Sequence, residues 1–149
     1  MIRIQELRIG NYILVDDIVR QVCSLQSDEN SEQDNCVGFV HNDEFHYERC
    51  DTDRIVPVEV SDKILVEMGF KFDTYFKHWQ RSRPEKSYTI ELDTDYWATD
   101  FANKPIRRNL NQLHLLQNLF FFIQGEELFF QDYSSTGARN KKEKHAEEV

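Results

Sequence analysis

The chain has 149 residues, 40% of them hydrophobic, which is typical of a globular domain and excludes disorder of the whole chain. Its net charge of −9 disfavours general binding to nucleic-acid phosphates, because an acidic surface repels polyanions. No apolar run approaches the roughly 20 residues of a membrane span, and Met1–Glu6 has no apolar signal-peptide core. Three widely spaced cysteines, Cys23, Cys36 and Cys50, favour reduced thiols and a cytoplasmic location.

Residues 1–60 hold most of the acidity, with five basic and thirteen acidic side chains. Short β-branched and aromatic runs separated by Asn, Asp or Gly predict short strands here, and such strands usually close into a small barrel. We therefore expect an SH3-like barrel over 1–60, with the wholly polar segment 26–35 as an exposed, mobile loop. The predicted strands are Tyr12–Val15, Ile18–Val22 across an Asp16-Asp17 turn, Val37–Val40, Phe45–Tyr47 and Ile55–Val58.

A compact helix signal follows at 61–69. Ser61 is a suitable N-cap, Asp62 complements the helix dipole and Gly69 is a suitable stop. This helix marks the boundary between the two halves of the chain.

A second antiparallel sheet is predicted between Lys71 and Phe101. Alternation in Tyr75–Trp79 and Ser87–Leu92 indicates strands, with turns near Pro84 and at Asp93-Thr94-Asp95. These elements predict a small sheet of two or three strands.

The strongest single element is a helix over 109–124, whose Leu, Phe and Ile residues recur at helical spacing before Gly125. We expect it to pack on the second sheet and to bury Leu113, Leu116, Phe120 and Ile123. Leu128–Phe130 is a candidate final strand. The tail 134–149, rich in Lys and Glu, is expected to be unstructured or weakly helical.

The elements together predict an α+β protein. Its N-terminal SH3-like barrel (1–60) precedes an α+β subdomain (61–133), in which a small antiparallel sheet packs on one long C-terminal helix. The tail 134–149 forms no part of either subdomain.

Three blocks of sequence carry a resemblance to a known family. The blocks are Glu6–Tyr12, Pro57–Phe70 and Leu113–Leu128, and they span most of the chain in order. In them the chain resembles a family of short uncharacterised proteins from Bacteroidetes genomes, often found in prophage-like or mobile regions. The resemblance implies an accessory protein of a phage or mobile element in a bacterial cytoplasm, and it implies no activity.

Cysteine and histidine residues form one zinc-like pattern, Cys36, His41, His46 and Cys50. On hairpin strands Cys36 and His41 would point to opposite sheet faces, and no tight Cys-x2–4-Cys knuckle is present. The sequence therefore favours buried cysteines and surface histidines over a metal site.

Acidic residues recur as Asp51 and Asp53, and as Glu91, Asp93 and Asp95 with Asp100 nearby. Alternating acids hold magnesium in two-metal enzymes, whereas Asp-Thr-Asp is also a common turn sequence. A metal-dependent enzyme using 91–100 is one hypothesis, and the turn interpretation is favoured. His114, Gln117 and Asn118 form a polar patch on the long helix, for which a hydrogen-bonded structural role is favoured over a catalytic base.

The segment 75–86 interleaves aromatic and basic side chains, the mixture that single-stranded nucleic acid would need. Its candidate binding residues are Tyr75, Trp79, Arg81 and Arg83, with Lys104, Arg107 and Arg108 as an extension. The same aromatic alternation is what a sheet buries against a helix, and the acidic net charge disfavours this function.

The sequence contains no Gly-rich phosphate loop and no nucleophile with an obvious partner, so it predicts no catalytic residue, metal or cofactor. The favoured function is a non-catalytic protein-interaction module of a phage or mobile element. Small barrels present loops and shallow aromatic grooves to partners, and the acidic first third would attract a basic one.

Overall fold

The fold is that of a computed structural model, which describes residues 2–28, 31–50, 52–81, 90–99, 105–107 and 109–131, without the side chains of 28 and 31–34. It is α+β, with antiparallel sheets and one long helix. Two compact units divide the chain. One contains Met1–Val60 with Asn109–Glu127, and the other contains Ser61–Arg108 with Leu128–Val149. No helix within the described ranges is long and apolar enough to cross a membrane.

The first unit contains two three-stranded antiparallel sheets. One has the order β2-β1-β6 and the other the order β3-β4-β5. Within the described residues these sheets do not close into one barrel, so the predicted SH3-like barrel is not confirmed. The strands are β1 (Tyr12–Val15), β2 (Ile18–Gln21), β3 (Ser24–Asp28), β4 (Ser31–His41), β5 (Glu44–Arg49) and β6 (Ile55–Pro57), after a 3-10 helix at Ile4–Glu6.

Two tight hairpin turns in this unit use acidic and amide residues at positive φ. Asp16 and Asp17 have φ of 49° and 63° between β1 and β2, and Asn42 and Asp43 have φ of 52° and 61° between β4 and β5. Two consecutive positive φ values characterise a type I′ turn, whose twist matches the flanking strands. The predicted Asp16-Asp17 hairpin is therefore confirmed.

The polar segment 26–35 is not the loop that was expected. Strands β3 and β4 run through most of it, and Gln26 pairs with Cys36 in their ladder. Backbone pairing satisfies the N–H and C=O groups of a strand whatever its side chains are, so a wholly polar sequence does not preclude a strand.

Helix α2 (Leu113–Gln124) belongs to the first unit. The predicted division at residue 60 placed this helix in the second subdomain instead. The backbone N–H of Leu113 donates to the carbonyl of Val58 at 2.8 Å. Gly125 ends the helix with φ of 64°, as predicted, because a left-handed residue suits glycine.

The burial predicted for α2 is correct at three positions of four. Leu113, Leu116 and Phe120 are buried, whereas Ile123 is 52% exposed. Gln117 and Gln124, on the same helix, are buried instead. The inward face of α2 is therefore partly polar, which a count of apolar residues does not reveal.

The second unit contains α1 (Asp62–Glu67) and a five-stranded sheet of order β11-β10-β9-β8-β7. Ser61 caps α1 as predicted, because its hydroxyl accepts a hydrogen bond from the backbone N–H of Ile64. The strands are β7 (Phe70–Asp73), β8 (His78–Arg81), β9 (Glu91–Leu92), β10 (Ala98–Thr99) and β11 (Pro105–Arg107).

Two strand predictions in this half are wrong. Residues 74–77 form a turn and not the first part of a Tyr75–Trp79 strand, and Leu128–Phe130 is not a strand. The side chain of Leu128 is nonetheless fully buried. The turn near Pro84 and the tail 134–149 lie outside the described residues.

Candidate functional site

The residues predicted to bind nucleic acid begin in the turn between β7 and β8. Asp73 Oδ1 accepts hydrogen bonds from the backbone N–H groups of Tyr75 and Phe76, both at 2.9 Å, and Lys77 has φ of 54°. This Asp-stabilised turn replaces the predicted strand and displays Tyr75, which is 84% exposed. The Tyr75 and Phe76 rings contact edge to face, with centroids 4.8 Å apart.

The other predicted binding residues are placed differently. Trp79 is only 7% exposed, and the Arg81 guanidinium lies 5.8 Å from the Phe70 ring, where burial lowers its pKa. Arg83, Lys104 and Arg108 lie outside the described residues, and Arg107 is exposed on β11. The structure therefore displays Tyr75 but not Trp79 for base stacking.

Trp79 instead forms one wall of an open pocket of about 280 Å³, which we call the Trp79 pocket. The described residues that line it are Asp62, Phe72, Trp79 and Thr94. Phe72 and Trp79 are direct partners in the β7–β8 ladder, and their ring centroids are 5.2 Å apart at an interplanar angle of 58°. The sequence indicated a different role for Trp79, and for Asp62 only a favourable interaction with the helix dipole.

A hydrogen bond fixes the acidic side of this pocket. The Tyr96 hydroxyl donates to Asp62 Oδ1 at 2.7 Å. Burial, together with this bond to a carboxylate, raises the pKa of Tyr96 to about 12. Tyr96 therefore remains protonated and keeps donating at neutral pH.

The predicted turn at Asp93-Thr94-Asp95 is confirmed and brings Thr94 to the pocket. Asp93 Oδ1 accepts from the backbone N–H groups of Asp95 at 2.8 Å and Trp97 at 2.9 Å. The Asp93 carboxylate thus supports the turn, while Asp100 lies outside the described residues. Across the described part of the chain, no three His, Cys, Asp or Glu side chains are grouped to hold a metal.

The zinc-like set is divided between the faces of the β3-β4-β5 sheet. His41 and His46 lie on one face with ring centroids 5.9 Å apart. Cys36 is opposite Arg49 in the ladder and, five positions from His41, points to the other face as predicted. Cys50 is buried in the core of the first unit.

The outer face of the same sheet carries three exposed apolar side chains, Val40, Phe45 and Tyr47, which we call the aromatic face. They are 52%, 52% and 57% exposed, and the Phe45 and Tyr47 rings are 5.2 Å apart. In the ladder Val40 is opposite Phe45, and Gly38 is opposite Tyr47. The aromatic face therefore extends across two neighbouring strands.

Gly38 makes this arrangement possible. A Cβ atom at position 38 would lie 2.9 Å from Phe45 Cε1, 2.9 Å from Ser24 Cβ and 3.1 Å from Tyr47 Cε1. These separations are shorter than van der Waals contact, so both rings occupy the space that a side chain would take. The two rings therefore lie over the bare backbone of β4.

The opposite face of this sheet packs in the core, where Val37 and Phe39 are 0% and 6% exposed. An antiparallel sheet with one buried face usually places polar side chains on the other. Val40, Phe45 and Tyr47 break that pattern, and grouped exposed apolar side chains indicate an interaction surface. The sequence signal was the Phe45–Tyr47 alternation, which was assigned only to a strand.

In the polar patch on α2, His114 and Gln117 are buried and Asn118 is half-buried. Gln117 Oε1 accepts from the backbone N–H of Tyr12 at 2.8 Å, and Gln117 Nε2 donates to the Gly10 carbonyl at 3.1 Å. Asn118 Nδ2 donates to the Glu6 carbonyl at 2.8 Å, and His114 is fully buried. These contacts support the structural interpretation and join two of the sequence blocks that carry the family resemblance.

Comparisons with protein-family models, with curated proteins and with solved structures find no match to this chain. The aromatic face and the Trp79 pocket are the two features of the described residues from which a function is inferred.

Proposed function

We propose that this chain is a non-catalytic protein-interaction module and that it binds its partner through the aromatic face. The observation that carries the proposal is the placement of Phe45 and Tyr47 over Gly38 on the solvent side of a sheet whose other side is core. Large rings held on a rigid sheet lose little conformational entropy on binding, and Tyr and Phe are enriched in protein interfaces.

Charge supports a partner with basic character. The first sixty residues carry a net charge of −8, and exposed Asp43 lies in the β4–β5 turn, next to the strand ends that hold Val40 and Phe45. Opposite charge on the partner would accelerate encounter and fix orientation, and apolar contact would supply most of the affinity. The cytoplasmic location and the phage or mobile-element origin that the family resemblance implies belong to the same proposal.

Affinity purification of the tagged protein from lysate of its native host tests this function, with nuclease-treated and untreated halves compared by mass spectrometry. We expect one stoichiometric protein that survives nuclease and is lost with the double variant Phe45→Ser/Tyr47→Ser. The matched control is Phe122→Ser, which removes a ring that is 75% exposed on α2 of the same unit. Retention of the partner by the double variant would show that the aromatic face is not the binding surface.

Single-stranded nucleic-acid binding is a second candidate, favoured by the exposed Tyr75 and Phe76 rings beside Lys77. Exposed rings stack on bases and nearby cations attract phosphates. Binding that falls with salt and is lost in Tyr75→Ala, but is unchanged in Phe45→Ser/Tyr47→Ser, would favour this candidate over the protein-interaction module.

A further inference from the structure

The Trp79 pocket has the chemical composition of a site for an organic cation. Phe72 and Trp79 supply two tilted rings, and ring faces attract cations within about 6 Å of their centroids. Asp62 adds a carboxylate at the same pocket. Among the described lining residues, one carboxylate and two aromatic side chains favour a positive ligand and disfavour an anion.

The Asp62 carboxylate is held in place and retains acceptor capacity. Tyr96 donates to Oδ1 at 2.7 Å, whereas an ionised carboxylate has about four acceptor positions. The remaining positions are sufficient for a charge-assisted hydrogen bond from a ligand N–H. A carboxylate already oriented by Tyr96 loses less freedom when the ligand binds.

The pocket is small. About 280 Å³ is slightly below the range of roughly 300–1,000 Å³ that holds drug-sized molecules. The space therefore suits the end of one side chain better than a nucleotide or a larger cofactor.

We propose that the Trp79 pocket binds an alkylammonium group, supplied by a lysine side chain of a partner protein in its primary or methylated form. The aromatic rings contact the methylene and methyl groups, and Asp62 neutralises the charge. This inference does not depend on the aromatic face, because the pocket and that face belong to different units and involve different residues.

Titration of the full chain with blocked lysine tests the proposal. The probes are Nα-acetyl-lysine methylamide with a primary, a trimethylated or an acetylated Nε, and the readout is the NMR signal of the Trp79 indole N–H, assigned with Trp97→Phe. We expect the two cations to bind about three- to fivefold more tightly than the neutral acetylated form, as cation–π contacts at exposed sites predict. Equal binding of all three forms, or no shift with any, would overturn the proposal.

Two variants locate the binding. Asp62→Asn retains an acceptor for Tyr96 but removes the charge, and we expect about two- to fivefold weaker binding of both cations. Glu67→Gln removes the same charge from the same helix at a residue that does not line the pocket, and should leave affinity unchanged. Phe72→Leu tests the ring, and is suitable because Phe72 is 40% exposed and Trp79 is core.

Three results of these measurements would contradict the proposal. Equal losses in Asp62→Asn and Glu67→Gln would indicate only general attraction to an acidic surface. Unchanged affinity in Phe72→Leu would exclude the Phe72 ring as part of the binding site. Binding of free choline without binding of either lysine cation would exclude a protein side chain as the ligand.

Discussion

The side-chain oxygen of Gln117 accepts a hydrogen bond at 2.8 Å from the backbone N–H of Tyr12, 105 positions earlier in the chain. Both residues are fully buried, and the Nε2 of the same side chain donates to the Gly10 carbonyl. One amide therefore satisfies the buried N–H of Tyr12 and the partly buried C=O of Gly10, just before β1. A buried amide with these contacts fixes where α2 meets the N-terminal strands.

The first prediction is that replacement of this amide destabilises the fold. Gln117→Leu keeps similar volume but leaves the buried Tyr12 N–H without this acceptor, and we expect the free energy of unfolding to fall by about 1–3 kcal/mol. Urea unfolding followed by circular dichroism measures the change. Gln5→Leu, at an exposed position of the same unit, should stay within about 0.5 kcal/mol of the parent. A similar small change in Gln117→Leu would contradict the assigned role.

Gly38→Ala is expected to destabilise the first unit by about 1–3 kcal/mol, because the new methyl group would overlap Phe45, Tyr47 and Ser24. The same measurement in a Phe45→Ala background separates ring overlap from other effects, since removal of the Phe45 ring opens space. The cost of Gly38→Ala should be smaller there, and the difference is the coupling energy. An equal cost in both backgrounds would show that Phe45 does not occupy this space.

Asp43→Gly should raise the free energy of unfolding by about 0.5–1 kcal/mol. Asp43 has φ of 61° at the second central position of a type I′ turn, where Asn-Gly is the preferred pair. Asp43→Ala is the control, because it also removes the carboxylate but retains a Cβ, and it should be destabilising. Thermal unfolding of both variants measures the effect, and a change in the same direction would refute the φ argument.

The Asp16–Arg54 pair predicts an acid-dependent contribution to stability. Arg54 hydrogen bonds, from Nε at 2.8 Å and from its terminal nitrogen, lower the pKa of Asp16 below its ordinary value of 3.8. The folded pKa is the lower one, so this contribution is present above about pH 4 and is lost as pH falls through the folded pKa.

An NMR titration of the Asp16 carboxyl carbon checks this shift. Its midpoint should lie below 3.8 in the parent and return towards 3.8 in Arg54→Met. Arg20→Met removes an equal charge from β2 of the same sheet and serves as the control. An unchanged midpoint in Arg54→Met would exclude Arg54 as the cause.

The raised pKa of Tyr96 predicts that stability falls as the pH rises into the alkaline range. Its folded pKa of about 12 lies above the ordinary value of 10.0, so its contribution is fully present below pH 10 and is lost as pH rises towards 12. Ultraviolet titration at the phenolate band should show one phenol ionising near pH 12, and Tyr96→Phe should remove that step. Persistence of the late step in Tyr96→Phe would assign it to another tyrosine.

Part of the site was visible in the sequence. Alternation marked Phe45 and Tyr47 as strand residues, and the aromatic spacing of the second half identified Trp79. Neither pattern reports which face of a strand meets the core, so nucleic-acid binding and burial both stayed open for Trp79, and Phe45 was not considered for binding. Phe72 and Asp62 had no sequence signal for a pocket, because the packing of α1 against β7 brings them together.

The sequence by itself determined the local elements: the Asp16-Asp17 and Asp93-Thr94-Asp95 turns, the Ser61 cap and the Gly125 stop. Each depends on the φ preference or hydrogen-bonding side chain of a residue acting on its immediate neighbours. Tertiary structure alone decided that polar residues 26–28 and 31–35 pair as strands, that Gln117 is buried while Ile123 is exposed, and that α2 belongs with the N-terminal strands. Those outcomes depend on partners far along the chain, and the periodicity of one segment contains no information about them.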